Sequence, residues 1–70
     1  MPIISVKMLA GRPAEAKQRL IEALTDGAVT ALDVPRETVR VLLAEIPPEH
    51  WAVGGVTKAA RNAYPGEKPS

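Results

Sequence analysis

The chain has 70 residues, 46% of them hydrophobic, with no cysteine and one histidine, His50. Disulfides and thiolate zinc sites are therefore excluded, the lone histidine offers little to a metal, and the apolar content is too high for a disordered tail. Nine basic against eight acidic residues, with Trp51 and Tyr64 the only aromatics, give neither the basic footprint nor the stacking platform of a nucleic-acid binder.

A lone core of this size rarely contributes more than about 3–5 kcal/mol, so self-association is the expected staple. No apolar run approaches the roughly 20 residues of a membrane helix, and no basic segment with an apolar stretch and cleavage site opens the chain. A cytoplasmic protein with no membrane partner is expected. Pro2 to Ala10 reads as a strand, with Ile4, Val6 and Met8 on one face and Ile3, Ser5, Lys7 and Leu9 on the other. Gly11 breaks it, and Pro13 suits the first position of a helix, where its missing N–H is not needed. From Ala14 to Leu32 the period is helical: Ala16, Leu20, Ile21, Leu24, Ala28, Ala31 and Leu32 share one broad stripe. Asp26-Gly27 could split this segment, but Gly27 falls inside the stripe, so one helix is preferred, with the glycine permitting close approach to a sheet. Pro35 ends the helix by pushing Val34 out of the α region.

Val39 to Ile46 is a second strand whose faces, Val39, Val41 and Leu43 against Arg40, Leu42, Ala44 and Ile46, are both largely apolar. A crossover of this length predicts a parallel, right-handed βαβ unit. One helix covers only one face of a sheet, so the second face needs another chain. Pro47-Pro48 stops the strand, Gly54-Gly55 predicts a small hairpin within Trp51 to Thr57, and Lys58 to Ala63 suits a helical turn. The fold class is α/β (α+β), a single oligomeric β-α-β unit with a C-terminal hairpin. It forms one domain over residues 1–63, followed by a Pro/Gly-containing tail at 64–70 where only Tyr64 looks buried.

Chemistry is suggested first by Met1-Pro2. A small second residue permits removal of the initiator methionine, which exposes a secondary amine on a rigid ring, a base or a nucleophile. An α-amino group titrates near about 8, and cations or burial lower that value toward the range where a base works best. With Met1 attached, the nitrogen is an amide without a basic lone pair. Taken singly, each residue also has a plain structural role. Pro2 is a strand-start proline and Arg12 a surface residue at a helix start. Arg40 is half of a salt bridge to Glu45 or Glu37, since an unpaired arginine in an apolar strand is costly. Trp51 is core or interface. His50, lacking an orienting partner, is structural or solvent-facing.

Pro2-Ile-Ile, Leu9-x-Gly-Arg12, Lys17-x-x-Leu-Ile, Val39-Arg40-Val41 and His50-Trp51-x-x-Gly-Gly55 occur together in one order and spacing. In this the chain resembles the 4-oxalocrotonate tautomerase family over about residues 2 to 61. The resemblance implies a βαβ fold with a C-terminal hairpin, assembled as a hexamer (a trimer of dimers), with no cofactor or metal. It also implies an isomerase acting on small unsaturated 2-hydroxy or 2-oxo carboxylic acids such as 2-hydroxymuconate, as in aromatic hydrocarbon catabolism. Processed Pro2 would be the general base that moves a proton between carbons of an enol or dienol acid. Arg12 and Arg40, from neighbouring subunits, would bind carboxylate and carbonyl oxygens, Arg40 stabilising the charge that grows in the transition state. Trp51, at the family's phenylalanine position, would be an apolar wall keeping the base's pKa low. Pro13 beside Arg12, the bulk of Trp51 and the longer tail depart from the family pattern, and Arg61 only approximates its basic C-terminal pair. Two other readings are a haloacrylate hydratase or dehalogenase, whose acidic residue is missing from Ala52-Val53-Gly54, and a non-catalytic oligomeric subunit.

Overall fold

Strand β1 (Ile3–Leu9) forms between Pro2 and Gly11, where Ser5 and Lys7 alternate with Ile4, Val6 and Met8. The structure, a computed structural model, describes residues 1–62, so the expected tail at 64–70, Tyr64 and the last residue of the expected helical turn lie outside the described residues. Strand β2 (Arg40–Ile46) pairs with β1 in parallel, from Ile3 opposite Arg40 to Leu9 opposite Ile46. Partners across the pair share a face. Ile4, Val6, Met8, Val41, Leu43 and Glu45 therefore look one way, and Ile3, Ser5, Lys7, Leu9, Arg40, Leu42, Ala44 and Ile46 the other.

Helix α1 (Ala14–Leu32) packs on the first face, where Ile4, Val6, Met8, Val41 and Leu43 are half-buried and Lys17 of the helix pairs with Glu45 of β2. Its bounds agree with the periodicity, but three details do not. Pro13 is the N-cap rather than the first helical residue: ψ of 159° is extended, and its carbonyl accepts the N–H groups of Ala16 and Lys17 at 3.1 and 3.2 Å. At the other end, the stop precedes Pro35. Asp33 takes the left-handed conformation (φ 53°, ψ 54°) with its N–H on the Val29 carbonyl at 3.0 Å, a cap that aspartate tolerates better than most residues. Gly27 is exposed, and a Cβ there would meet nothing within 4 Å, so it makes no close approach to the sheet. A two-stranded sheet is narrower than the apolar stripe, which leaves the flank holding Gly27, Ala31 and Leu32 in solvent.

Two short 3₁₀ turns, Arg36–Thr38 and Pro48–His50, bracket β2. Each is entered through an extended proline, Pro35 or Pro47, and neither was anticipated from the sequence. Beyond them, β3 (Ala52–Val53) and β4 (Val56–Thr57) form the expected antiparallel hairpin. Gly54 and Gly55, at φ 61° and 83°, supply the two left-handed residues that a tight hairpin turn demands. Thr57 then caps the short helix α2 (Lys58–Asn62), its Oγ1 accepting the Ala60 N–H at 3.1 Å.

Among the described residues no hydrophobic side chain is buried; only Lys58 is. On the sheet face away from α1, Ile3 is 64% and Leu42 57% exposed. The radius of gyration is 15.7 Å, against about 11 Å for a compact chain of this length. A single chain thus has a scaffold and half of a core. The expected uncovered face is present in the geometry.

Candidate active site

The start of the sheet brings Pro2 and Arg40 together. The Arg40 N–H donates to the Pro2 carbonyl at 3.0 Å, extending the parallel ladder by one bond beyond Ile3. Pro2 is half-buried, and its nitrogen carries the exposed Met1. Arg40 lies on the face away from α1, exposed, with Nη1 donating to the Glu37 backbone carbonyl at 2.7 Å. Neither carboxylate considered for it is engaged with it: Glu37 offers its carbonyl, and Glu45 faces the helix and pairs with Lys17. The alternation of the strand accounts for this, since residues five apart point to opposite faces. Arg40 is therefore an exposed guanidinium with no carboxylate partner among the described residues, on the strand end whose backbone is bonded to Pro2.

Arg12 and Trp51 sit at the opposite end of the strands. Gly11, at φ 122°, turns the chain out of β1, and Arg12 follows it, exposed. Trp51 is half-buried at the exit of the Pro48–His50 turn, held by its carbonyl, which accepts the Lys58 N–H at 2.6 Å. It lines an open hollow of about 260 Å³ with Lys7, Ile46, His50 and Ala52. Lys7 and Ile46 place that hollow on the sheet face that α1 leaves uncovered. The seven residues of β1 lie between Pro2 and Arg12, about 23 Å at the rise of a strand. One chain therefore pairs Pro2 with Arg40 and, far from them, Trp51 with the hollow; it does not gather the four residues.

His50 is exposed, in keeping with its structural or solvent-facing reading, although it also borders the hollow. Lys7 was not singled out from the sequence. It is the one charged residue in β1, on the face away from the helix, and that was the available signal. No group of three or more His, Asp or Glu residues among those described is placed to hold a metal ion. No described helix is long and apolar enough to cross a membrane.

The family model for tautomerase enzymes matches residues 2–61, which takes in both ends of the strands and the hairpin. The chain belongs to the 4-oxalocrotonate tautomerase family. Among curated relatives, a protein named probable tautomerase from Ralstonia nicotianae is 49% identical, the alignment covering 93% of each chain. A 2-hydroxymuconate tautomerase from Pseudomonas sp. strain CF600 is 40% identical over 79% of this chain and 87% of its own. Among solved structures, a 4-oxalocrotonate tautomerase homologue of the tomaymycin biosynthetic pathway superposes with a TM-score of 0.87. It is 47% identical, over 91% of this chain and 98% of its own. A heterohexameric 4-oxalocrotonate tautomerase from Chloroflexus aurantiacus gives a TM-score of 0.80 at 44% identity, over 84% and 95%. The chain is an isomerase of the tautomerase type, built on the β-α-β unit and antiparallel hairpin described above.

Proposed function

We propose that the chain catalyses enol–keto proton transfer on small unsaturated 2-hydroxy or 2-oxo acids, 2-hydroxymuconate among them, in an assembly of several copies. The observation that carries this reading is the placement of Pro2 against Arg40 at the first residue of the tautomerase match. Removal of Met1 turns the Pro2 nitrogen into a secondary amine. That amine accepts the enol proton, leaving a dienolate, and the resulting ammonium returns the proton to a carbon of the conjugated chain, so that the net change is an isomerisation. Arg40 stabilises the oxyanion that develops between the two transfers, and its charge disfavours the ammonium form of the base. Arg12 holds a substrate carboxylate through its planar fork. Trp51 closes the site with an apolar wall.

The separation of Pro2 and Arg40 from Arg12 and Trp51 is the reason for an assembly, because a small acid cannot bridge the length of β1. The uncovered sheet face points the same way, and a relative is described as a heterohexamer. A hexamer arranged as a trimer of dimers meets both needs. The test combines mass spectrometry, which reads the loss of Met1, with an ultraviolet assay of 2-hydroxymuconate ketonisation. Processed protein is expected to turn the substrate over, and protein carrying an N-terminal extension before Pro2 is expected to be inert. Equal activity in the two forms removes Pro2 from the mechanism.

A further inference from the structure

Arg12 sits on a two-residue connection, Gly11-Arg12, whose ends are both tied to β2. On the strand side, the Ala10 N–H donates to the Ile46 carbonyl at 3.0 Å. On the helix side, the Lys17 N–H donates to the Pro13 carbonyl at 3.2 Å, and the Lys17 ammonium pairs with Glu45. Consecutive residues of β2, Glu45 and Ile46, therefore hold the chain just after and just before Arg12. The connection itself is loosely built. Gly11, at φ 122°, has a permissive backbone, Arg12 is exposed, and Pro13 makes no side-chain cap bond to α1. An uncapped first turn frays readily, and fraying would carry Arg12 with it.

Glu45 and Lys17 lie on the helix side of the sheet, opposite the face that carries Arg40 and the Trp51 hollow, so neither reaches a substrate there. Their side chains are 33% and 29% exposed, against 64% and 52% for the Asp26–Arg36 pair, so solvent and salt screen them less. We propose that Lys17 and Glu45 are positioning residues: their ion pair fixes the first turn of α1 against β2 and so holds Arg12 ready for the substrate carboxylate. This rests on the reading of Arg12 as the residue that binds that carboxylate. A cation already held in place binds its anion without first losing freedom, and a small displacement forfeits that gain.

The test is calorimetric titration of the processed protein with (E,E)-muconate, in wild type and in variants that remove opposite charges. Glu45→Gln deletes a negative charge, so the field of the protein alone would tighten its hold on an anion. The positioning role predicts the reverse: Glu45→Gln and Lys17→Met each weaken binding about threefold to fivefold, and Lys17→Arg keeps it. Tighter or unchanged binding in Glu45→Gln overturns the assignment. In an Arg12→Ala background both substitutions should have no further effect, because there is no guanidinium left to place. The same loss with and without Arg12 overturns it too, since a purely structural role would show that pattern. The reversed pair, Lys17→Glu with Glu45→Lys, should bind as the wild type does and keeps the test open if a single variant fails to fold. Weak binding by a folded reversed pair counts against the assignment. With 2-hydroxymuconate, KM should rise by the same factor as the affinity falls while kcat stays near wild type. Absence of turnover by the processed wild type overturns the tautomerase reading itself. Turnover with an affinity indifferent to Glu45→Gln overturns the role of the ion pair alone.

Discussion

Arg40 illustrates how a single residue's surroundings decide its chemistry. Its guanidinium is anchored by one bond to the Glu37 carbonyl and faces no carboxylate, because Glu45 is turned to the helix by the alternation of β2. A guanidinium without a carboxylate partner can serve an anionic transition state; one locked in an ion pair could not. Arg40→Ala is therefore expected to lower kcat/KM on 2-hydroxymuconate by about 10²–10³-fold, mostly through kcat, as loss of an oxyanion donor does. Arg40→Lys should recover part of it. Pro2→Ala, which keeps an amine but not the ring, should cost about 10²-fold or more on the same assay. Wild-type rates in either Ala variant would remove that residue from the chemistry. The residue types of the proposed site were legible in the sequence: Pro2, two arginines and one tryptophan in fixed spacing. Which of them share a neighbourhood was not, since spacing along a strand says nothing of what a second chain brings.

Elements were legible where a period repeats many times and less so at their ends. The 19 residues of α1 and the parallel pairing of β1 with β2 follow from long, unbroken patterns. The caps depend on single backbone angles: Pro13 lies just outside the helix and Asp33 closes it in the left-handed region. The two 3₁₀ turns span three residues each, too few for any period to show. Gly27 was read as a contact residue because the apolar stripe is wider than the sheet beneath it. Since a Cβ there meets nothing in the chain, Gly27→Ala should raise stability by about 1 kcal/mol through helix propensity, seen as a higher Tm. An unchanged or lower Tm would mean that another chain packs on that flank. Gly55→Ala should act in the opposite direction, since φ of 83° disfavours any side chain. It should lower Tm and, by loosening the hairpin that follows Trp51, raise KM.

At the scale of the whole molecule, the absence of any buried hydrophobic side chain among the described residues joins stability to function. Ile3 and Leu42 stand in solvent on the face that also carries Arg40, Lys7 and the Trp51 hollow, so the uncovered surface is the one that carries residues of the proposed site. Leu42→Asp is expected to shift the protein toward smaller species in sedimentation and to lower activity together with Tm, because a charge cannot be buried there unpaired. An intact assembly with normal activity would place the interface elsewhere. The sequence showed that a second cover was needed, through two apolar strand faces and one helix, and it already put Pro2 before and Arg12 after the first strand; it could not show which chain covers the open face. The central claim, that each site is completed between chains, is tested by mixing two inactive variants. Pro2→Ala and Arg12→Ala are each prepared alone, then co-refolded in equal amounts and assayed with 2-hydroxymuconate. If Pro2 and Arg12 of one site come from different chains, about a quarter of the mixed sites are wild type at both positions and activity rises well above the parents. Activity no greater than the mean of the two parents would contradict the account.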